Sequence, residues 1–272
     1  MKSALITGAS SGLGLASAKM LASAGYHVIM LCRNHQKAQI ALAQVQQLGS
    51  GEVVLCDLAD LNQVADFTKT FGTRKLDVLM HNAGVVQTKK EVSPQGFEMT
   101  MAVNHLAVFL LTHLLLDNLT TGSRIVVVSS GAHFAAKFDL SNWMAENKFS
   151  TIQQYGLSKL ANILFTITMA KRLEERGITV NAVHPGGVRT GLGDNNKVWY
   201  SFLGKFVKLF LMSPERGADT QVWLAADANL KTSGGYYYKR KIAKCSKHCT
   251  VENAERLHAK TLAVLKEAQF IV

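Results

Sequence analysis

The run Ile125–Val126–Val127–Val128 carries no polar residue at any alternate position. A strand wet on one face alternates apolar with polar side chains. An unbroken apolar run is buried on both faces, as in a parallel sheet covered by helices. The same character recurs in "SALITGAS", "HVIMLCRN", "EVVLCDL", "LDVLMHNAG" and "ITVNAVHPG". Between these runs lie stretches of helical length: "SGLGLASAKMLASAGY", "HQKAQIALAQVQQLGS", "LNQVADFTKTFG", "FEMTMAVNHLAVFLLTHLLLDNL" and "TIQQYGLSKLANILFTITMAKRLEERG". The first helix should end near Gly25, and Gly49 should cap the second. "GGYYY" offers one more strand, followed by a helix from about Val251. Repeated βα units of this kind wind into an α/β sheet of about seven parallel strands with helices on both faces, and ligands bind at the C-terminal strand ends. With 272 residues, three prolines and no Pro/Ser/Gly-rich linker, residues 1–272 are expected to form one such domain.

"TGASSGLG" closes the first strand and opens the first helix, with glycines at Gly8, Gly12 and Gly14. Glycines there permit a tight turn and close approach of backbone to a pyrophosphate. The helix start, with Leu13 in its first turn, supplies unpaired N–H groups, and Ser10 and Ser11 add hydroxyls. Because no Gly-Lys-Ser/Thr follows, the turn is of the Rossmann dinucleotide type and not a P-loop. The second strand ends "LCRN". An NAD-preferring fold places an acid about there for the ribose 2′-hydroxyl. Cys32 stands in that place and Arg33 follows, with Asn34 beside it. A guanidinium pairs with a 2′-phosphate that an acid would repel, so the expected cofactor is NADP(H). Asp57 and Leu58, after the third strand, are placed to hold the adenine. Asn82, Ala83 and Gly84 end the fourth strand, where a ligand crosses the sheet edge.

These residues resemble the short-chain dehydrogenase/reductase family over essentially the whole chain. The match runs, in the family's order, through "TGASSGLG", "DL" at Asp57, "NAG" at Asn82, "VNH" around Asn104, "VSS" at Ser129 and Ser130, "YGLSK" and "HPGGVRT". Within the family the chain is most similar to the retinol dehydrogenase-like branch, on "GFEMTMAVNHLAVFLLT", "YGLSKLANILF" and the C-terminal "GGYYYKRKIAKCSKH". The membrane anchor typical of animal retinol dehydrogenases is not seen in this sequence.

Hydride transfer to a carbonyl carbon requires a proton for the oxygen, hence a positioned acid. Tyr155 and Lys159 are four residues apart on one helical face. A free phenol has a pKa of about 10, and a neighbouring ammonium should lower it. Tyr155 is therefore the expected acid/base, with Lys159 tuning it and binding the nicotinamide ribose. Ser129 and Ser130 point to opposite faces of their strand, so one of them serves the substrate oxygen. The resemblance implies Ser130. It also implies that Asn104 supports a proton relay from Lys159, although a helix asparagine bonded to backbone would look the same. After the sixth strand, Pro185 and Gly186 should pass beside the nicotinamide, Val188 should hold its carboxamide, and Thr190 should reach the amide or a phosphate. His81, His105 and His184 read as packing residues.

The segments "GAHFAAKFDLSNWMAENKF" and "GDNNKVWYSFLGKFVKLFLM" should wall the substrate, the second within a lid at about 191–213. Its apolar residues suit an apolar alcohol, aldehyde or ketone, and also a peripheral contact with an anionic membrane. The net charge of +11 gathers partly in "YYYKRKIAKCSKH". No nucleic-acid motif accompanies it, so nucleic acid is not an expected partner. Cys245, Cys249 and His248 lack the further ligand pair that a tetrahedral metal site needs, and no metal is expected. Scattered cysteines, no secretory h-region and no apolar stretch long enough for a bilayer point to a cytoplasmic protein. The two long helices could pair in a homodimer. The competing reading is a non-catalytic NADP(H)-binding sensor or interaction scaffold on the same fold.

Overall fold

The computed structural model describes residues 1–187 and 212–271. Its strands, in chain order, are β1 (Ser3–Thr7), β2 (His27–Cys32), β3 (Ser50–Leu55), β4 (Leu76–His81), β5 (Leu119–Val128), β6 (Thr179–Val183), β7 (Tyr236–Tyr238) and β8 (Lys241–Ile242). They form one sheet in the order β3-β2-β1-β4-β5-β6-β7-β8. All neighbours are parallel except β7 and β8, which form a hairpin. Eight described strands replace the expected seven or so, because Lys239 and Arg240 turn the chain back on Tyr238. Both adopt positive φ (50° and 58°), the geometry of a two-residue hairpin turn. Thr220 Oγ1 accepts from the Arg240 N–H at 3.2 Å, and the Arg240 guanidinium pairs with Asp219.

Helices α1 (Gly12–Ser23), α2 (His35–Gln46) and α7 (Pro214–Ala226) cover one face. Helices α3 (Leu61–Phe71), α5 (Ala107–Leu114), α6 (Thr151–Arg172) and α8 (Val251–Glu267) cover the other. The unbroken strands are explained by this arrangement. Leu5, Ile125 and Val127 join the second layer, while Ile6, Val126 and Val128 join the first. Each side chain thus finds an apolar partner, whichever way the pleat points it.

Two local expectations are corrected. Gly49 is not a left-handed cap: α2 ends at Gln46 with Gln47 as its C-cap, and Gly49 is absent from the positive-φ positions. A Cβ on Gly49 would lie 2.4 Å from the Ala22 carbonyl oxygen, so it is a glycine because α1 passes too close. Gly25 does behave as a cap, with φ 84° and Tyr26 N–H bonded to Leu21 O. The expected long fourth helix is broken. It comprises α4 (Met99–Met101), a π-helical turn (Ala102–Leu106) and α5, after which β5 begins at Leu119 rather than Ser123.

Strand order reverses between β1 and β4. β2 and β3 lie on one side of that point and β5 to β8 on the other, opening the crevice where doubly wound sheets take their ligands.

Candidate active site

The glycine turn lies at this switch point. Gly8 and Gly12 have φ of 68° and 53°, a region costly for any residue with a Cβ. A Cβ on Gly14 would stand 2.3 Å from Gly8 O and 2.5 Å from Asn82 Nδ2. This glycine lets α1 close onto the turn. Ser11 is the N-cap of α1, but its side chain makes no capping bond and the first turn holds no acid. The leading N–H groups of α1, through Leu13, are thus left for an anion. Ser10 is half-buried and Ser11 exposed.

Asn82 ties the two central strands together. Its side-chain amide donates to Thr7 O at 3.0 Å, and its backbone N–H and that of Ala83 both donate to Thr7 Oγ1 at 3.0 Å. Cys32 is buried, and burial pushes its thiol pKa up against hydrogen bonds from Ala9 and Ser10. Arg33 is exposed and has no ion-pair partner among the described residues. Asn34 caps α2 through Lys37 N–H. Asp57 holds Ala59 N–H with one carboxylate oxygen at 3.0 Å, and Leu58 packs into the core. The residues fit a dinucleotide: an uncapped helix start, a cradle that a Cβ would fill, and an unpaired guanidinium at the second strand's end.

A second cluster forms where β4, β5, α6 and the π-helical turn meet. Asn104 is fully buried. Its Oδ1 accepts from Val85 N–H at 2.8 Å, and its Nδ2 donates to Val85 O at 3.0 Å and to Ser158 Oγ at 2.9 Å. The side chain is therefore a clamp on the loop after β4. Asn104 lies within a π-helical turn, often found at functional sites, and its side chain is fully spent on Val85 and Ser158. Ser158 Oγ itself donates to Tyr155 O at 2.8 Å, so this serine supports the cluster from below.

Lys159 is 3% exposed, and its Nζ donates to Val128 O at 3.1 Å. Burial lowers its pKa to about 8. A Cβ on Gly84 would come within 3.2 Å of this ammonium and 3.4 Å of Asn104 Oδ1, so the third residue of "NAG" keeps that space open. Tyr155 is half-buried, with Lys159 Nζ 5.7 Å from its ring centroid. Its pKa is raised, because burial outweighs a hydrogen bond with Ser130 that pulls it down. The net direction is opposite to the expected lysine-lowered phenol, because desolvation by burial dominates.

Ser130 meets Tyr155 from the end of β5. Its Oγ accepts from Ala132 N–H at 3.2 Å, which engages a lone pair and leaves the hydroxyl proton to donate. Ser129 points the other way, bonded to Lys159 O at 2.7 Å. One contributor was missed from the sequence: a Cβ on Gly156 would lie 2.7 Å from Ala132 O. This glycine lets α6 approach the turn that carries Ser130. A glycine inside a helix costs about 1 kcal/mol relative to alanine, and that cost was the available signal.

The three histidines are packing residues. His81 bonds Thr112 and His105 bonds Thr261 at 2.7 and 3.0 Å, with burial lowering each pKa to about 3. His184 stacks on Tyr238 at 5.0 Å. Pro185 follows β6, and Gly186 takes φ 86°, where an added Cβ would lie 2.2 Å from Met212 Cε. Val188, Thr190 and the lid up to residue 211 lie outside the described residues. Of the first expected substrate wall, Trp143 is buried in the core, whereas Phe134 is 57% exposed. No described helix is long and apolar enough to cross a membrane.

Residues 2–201 match the short chain dehydrogenase family model. The chain belongs to that family. It is an oxidoreductase of the retinol dehydrogenase-like branch, 37% identical over 244 residues to retinol dehydrogenase 11 from Mus musculus, a match spanning 87% of this chain and 77% of that one. Among solved structures, an uncharacterized protein from Mycobacterium Paratuberculosis superposes with a TM-score of 0.82 at 31% identity, covering 98% and 94% of the two chains. The angucycline C-6 ketoreductase LanV, whose structure holds NADP, gives 0.68 at 29% identity over 86% and 92%. For this short-chain dehydrogenase, the family and its NADP-bound neighbours support a nicotinamide cofactor.

Proposed function

We propose that this short-chain dehydrogenase interconverts an apolar alcohol and its aldehyde or ketone with NADP(H), using Tyr155 as acid/base. One observation carries the reading: the Ser130 hydroxyl and the Tyr155 phenol meet beside the Lys159 ammonium, at the strand ends that also hold the glycine turn. The Gly8–Gly14 turn, Arg33, Asp57 and the "NAG" segment would hold the dinucleotide, with Val188 and Thr190 as proposed contacts. When bound, the nicotinamide supplies or accepts the hydride.

The protein's own residues handle the oxygen. Ser130 donates a hydrogen bond to the carbonyl oxygen as charge develops there and keeps its own proton. Tyr155, a phenol with an ordinary pKa of about 10 that burial raises further, is protonated at neutral pH, the form that carbonyl reduction needs. It transfers its proton to that oxygen. Lys159, anchored on Val128 O, places positive charge beside the resulting phenolate and favours its formation. Backbone at the Asn104 π-helical turn links Lys159 to solvent for reprotonation. An apolar substrate is favoured by the likeness to retinol dehydrogenases and by exposed Phe134 on the turn that carries Ser130.

The test is NADPH oxidation with a panel of apolar aldehydes and ketones, all-trans-retinal included, with Tyr155→Phe as control. Turnover by the wild type alone supports the reading. Tight NADPH binding without turnover favours a sensor, and equal turnover by Tyr155→Phe removes the tyrosine assignment.

A further inference from the structure

His133 lies three residues after Ser130 and is completely buried (0% exposed). Both ring nitrogens are engaged. Nδ1 is 2.7 Å from the backbone oxygen of Ser130, and Nε2 is 3.2 Å from the backbone nitrogen of Ser246. The tautomer follows from the partners alone. A backbone N–H can only donate, so Nε2 is the acceptor. A carbonyl can only accept, so Nδ1 carries the proton and donates it to Ser130. The ring is wedged edge-on against Tyr236 of β7, with centroids 5.0 Å apart, and lies 4.1 Å from Phe134.

We propose that His133 is a positioning residue for the active-site serine, tying the Ser130 backbone to the C-terminal basic segment at Ser246. This rests on the proposed role of Ser130 as a hydrogen-bond donor to the substrate oxygen. Ser130 lies two residues past the end of β5 and is the N-cap of the 3₁₀ turn Gly131–Ala135. A chain leaving a strand has lost its ladder partners, and its hydroxyl is only as well aimed as its backbone is held. The Ser130 carbonyl receives two donors, the His133 backbone N–H at 3.2 Å and the ring Nδ1–H. The side chain meanwhile accepts from Ala132 N–H. Backbone and hydroxyl are thereby fixed together. The same bonds give the C-terminal strip around Ser246 a use that its charge did not suggest: its backbone donates to the fully buried ring.

A histidine that merely fills space would tolerate any replacement that keeps the fold. A positioning residue would distinguish the two halves of its ring. Asn places an N–H₂ donor near the Nδ1 position, whereas Gln places an acceptor nearer Nε2. We therefore expect His133→Ala to lower kcat by roughly 10- to 100-fold, the loss typical of a small misplacement of a reacting group, with KM for NADPH unchanged. His133→Asn should recover most of kcat, and His133→Gln should not, although both fold with similar Tm. The double variant Ser130→Ala/His133→Ala should be no slower than Ser130→Ala alone, because residues acting through one group are not additive.

The assay is steady-state reduction of the aldehyde that the wild type turns over fastest, with thermal melts in parallel. If His133→Ala does not fold, the Asn and Gln variants carry the comparison. Equal rates for Asn and Gln, or losses that multiply in the double variant, would overturn the role of His133 while Ser130 stands. A wild-type kcat in Ser130→Ala would instead remove Ser130 as the donor, and this inference with it.

Discussion

Two cations serve the proposed cofactor site, and the fold treats them in opposite ways. Lys159 is buried beneath the strand ends, bonded to Val128 O, walled by Gly84 and held at a pKa of about 8. Arg33 stands in solvent at the end of β2 with no ion-pair partner among the described residues. A buried cation loses hydration and gains a fixed position. An exposed one keeps its hydration and can pair with whatever anion arrives. Under the proposed function, the contrast separates a group whose placement would matter to chemistry from one whose charge would matter to binding.

The largest expected effect lies beside the buried cation. Tyr155→Phe should lower kcat by roughly 100- to 10,000-fold, the usual contribution of a general acid, while a fluorescence titration still shows NADPH binding. Retention of rate would break the comparison at its catalytic end. Next, Lys159→Met should abolish turnover yet raise stability at pH 7, by at most about 3 kcal/mol. The sign follows from the lowered pKa. The native state sheds this proton near pH 8, but the unfolded chain keeps it to about 10.5. Below pH 8 the wild type bears the full desolvation cost, so the Met variant's advantage is complete there. That advantage shrinks through the window from pH 8 to 10.5. Melts of both proteins across this window check it, and a constant difference would show that Lys159 is not desolvated.

Arg33→Ala should leave Tm unchanged and raise KM for NADPH well above its effect on NADH, for a loss of roughly 1.5–3 kcal/mol of charge-assisted bonding. An unchanged cofactor preference would remove Arg33 as the phosphate reader. The smallest effect belongs to an exposed cation that does have a partner. Asp219→Ala frees Arg240 on the hairpin turn, where both side chains are largely exposed. It should cost only about 0.2–1 kcal/mol, read as a small fall in Tm that vanishes in high salt.

The parallel sheet, the order of its units and the glycine turn were legible because each is local. An unbroken apolar run reports burial on both faces, and glycines between a strand and a helix report a tight turn. Helix α8 begins at Val251 as expected, where Thr250 accepts from Asn253 N–H. Gly49 and Gly156 were misread or overlooked because their reasons, Ala22 O and Ala132 O, lie far off in sequence. The π-helical turn escaped notice because an apolar helix with one inserted residue keeps nearly the same pattern.

The succession of strands and helices, the glycine turn after the first strand and the shared helical face of Tyr155 and Lys159 follow from the sequence alone. These depend on backbone propensity and on neighbours a few residues apart. Only the tertiary structure decided what those groups experience. Packing sends Lys159 to Val128 O and raises the Tyr155 pKa by desolvation. It also spends the Asn104 side chain on Val85 and Ser158, and brings His133 between Ser130 and Ser246. The physical reason is that burial and hydrogen-bond partnership are properties of a packed interior, set by residues that meet across the sheet rather than along the chain.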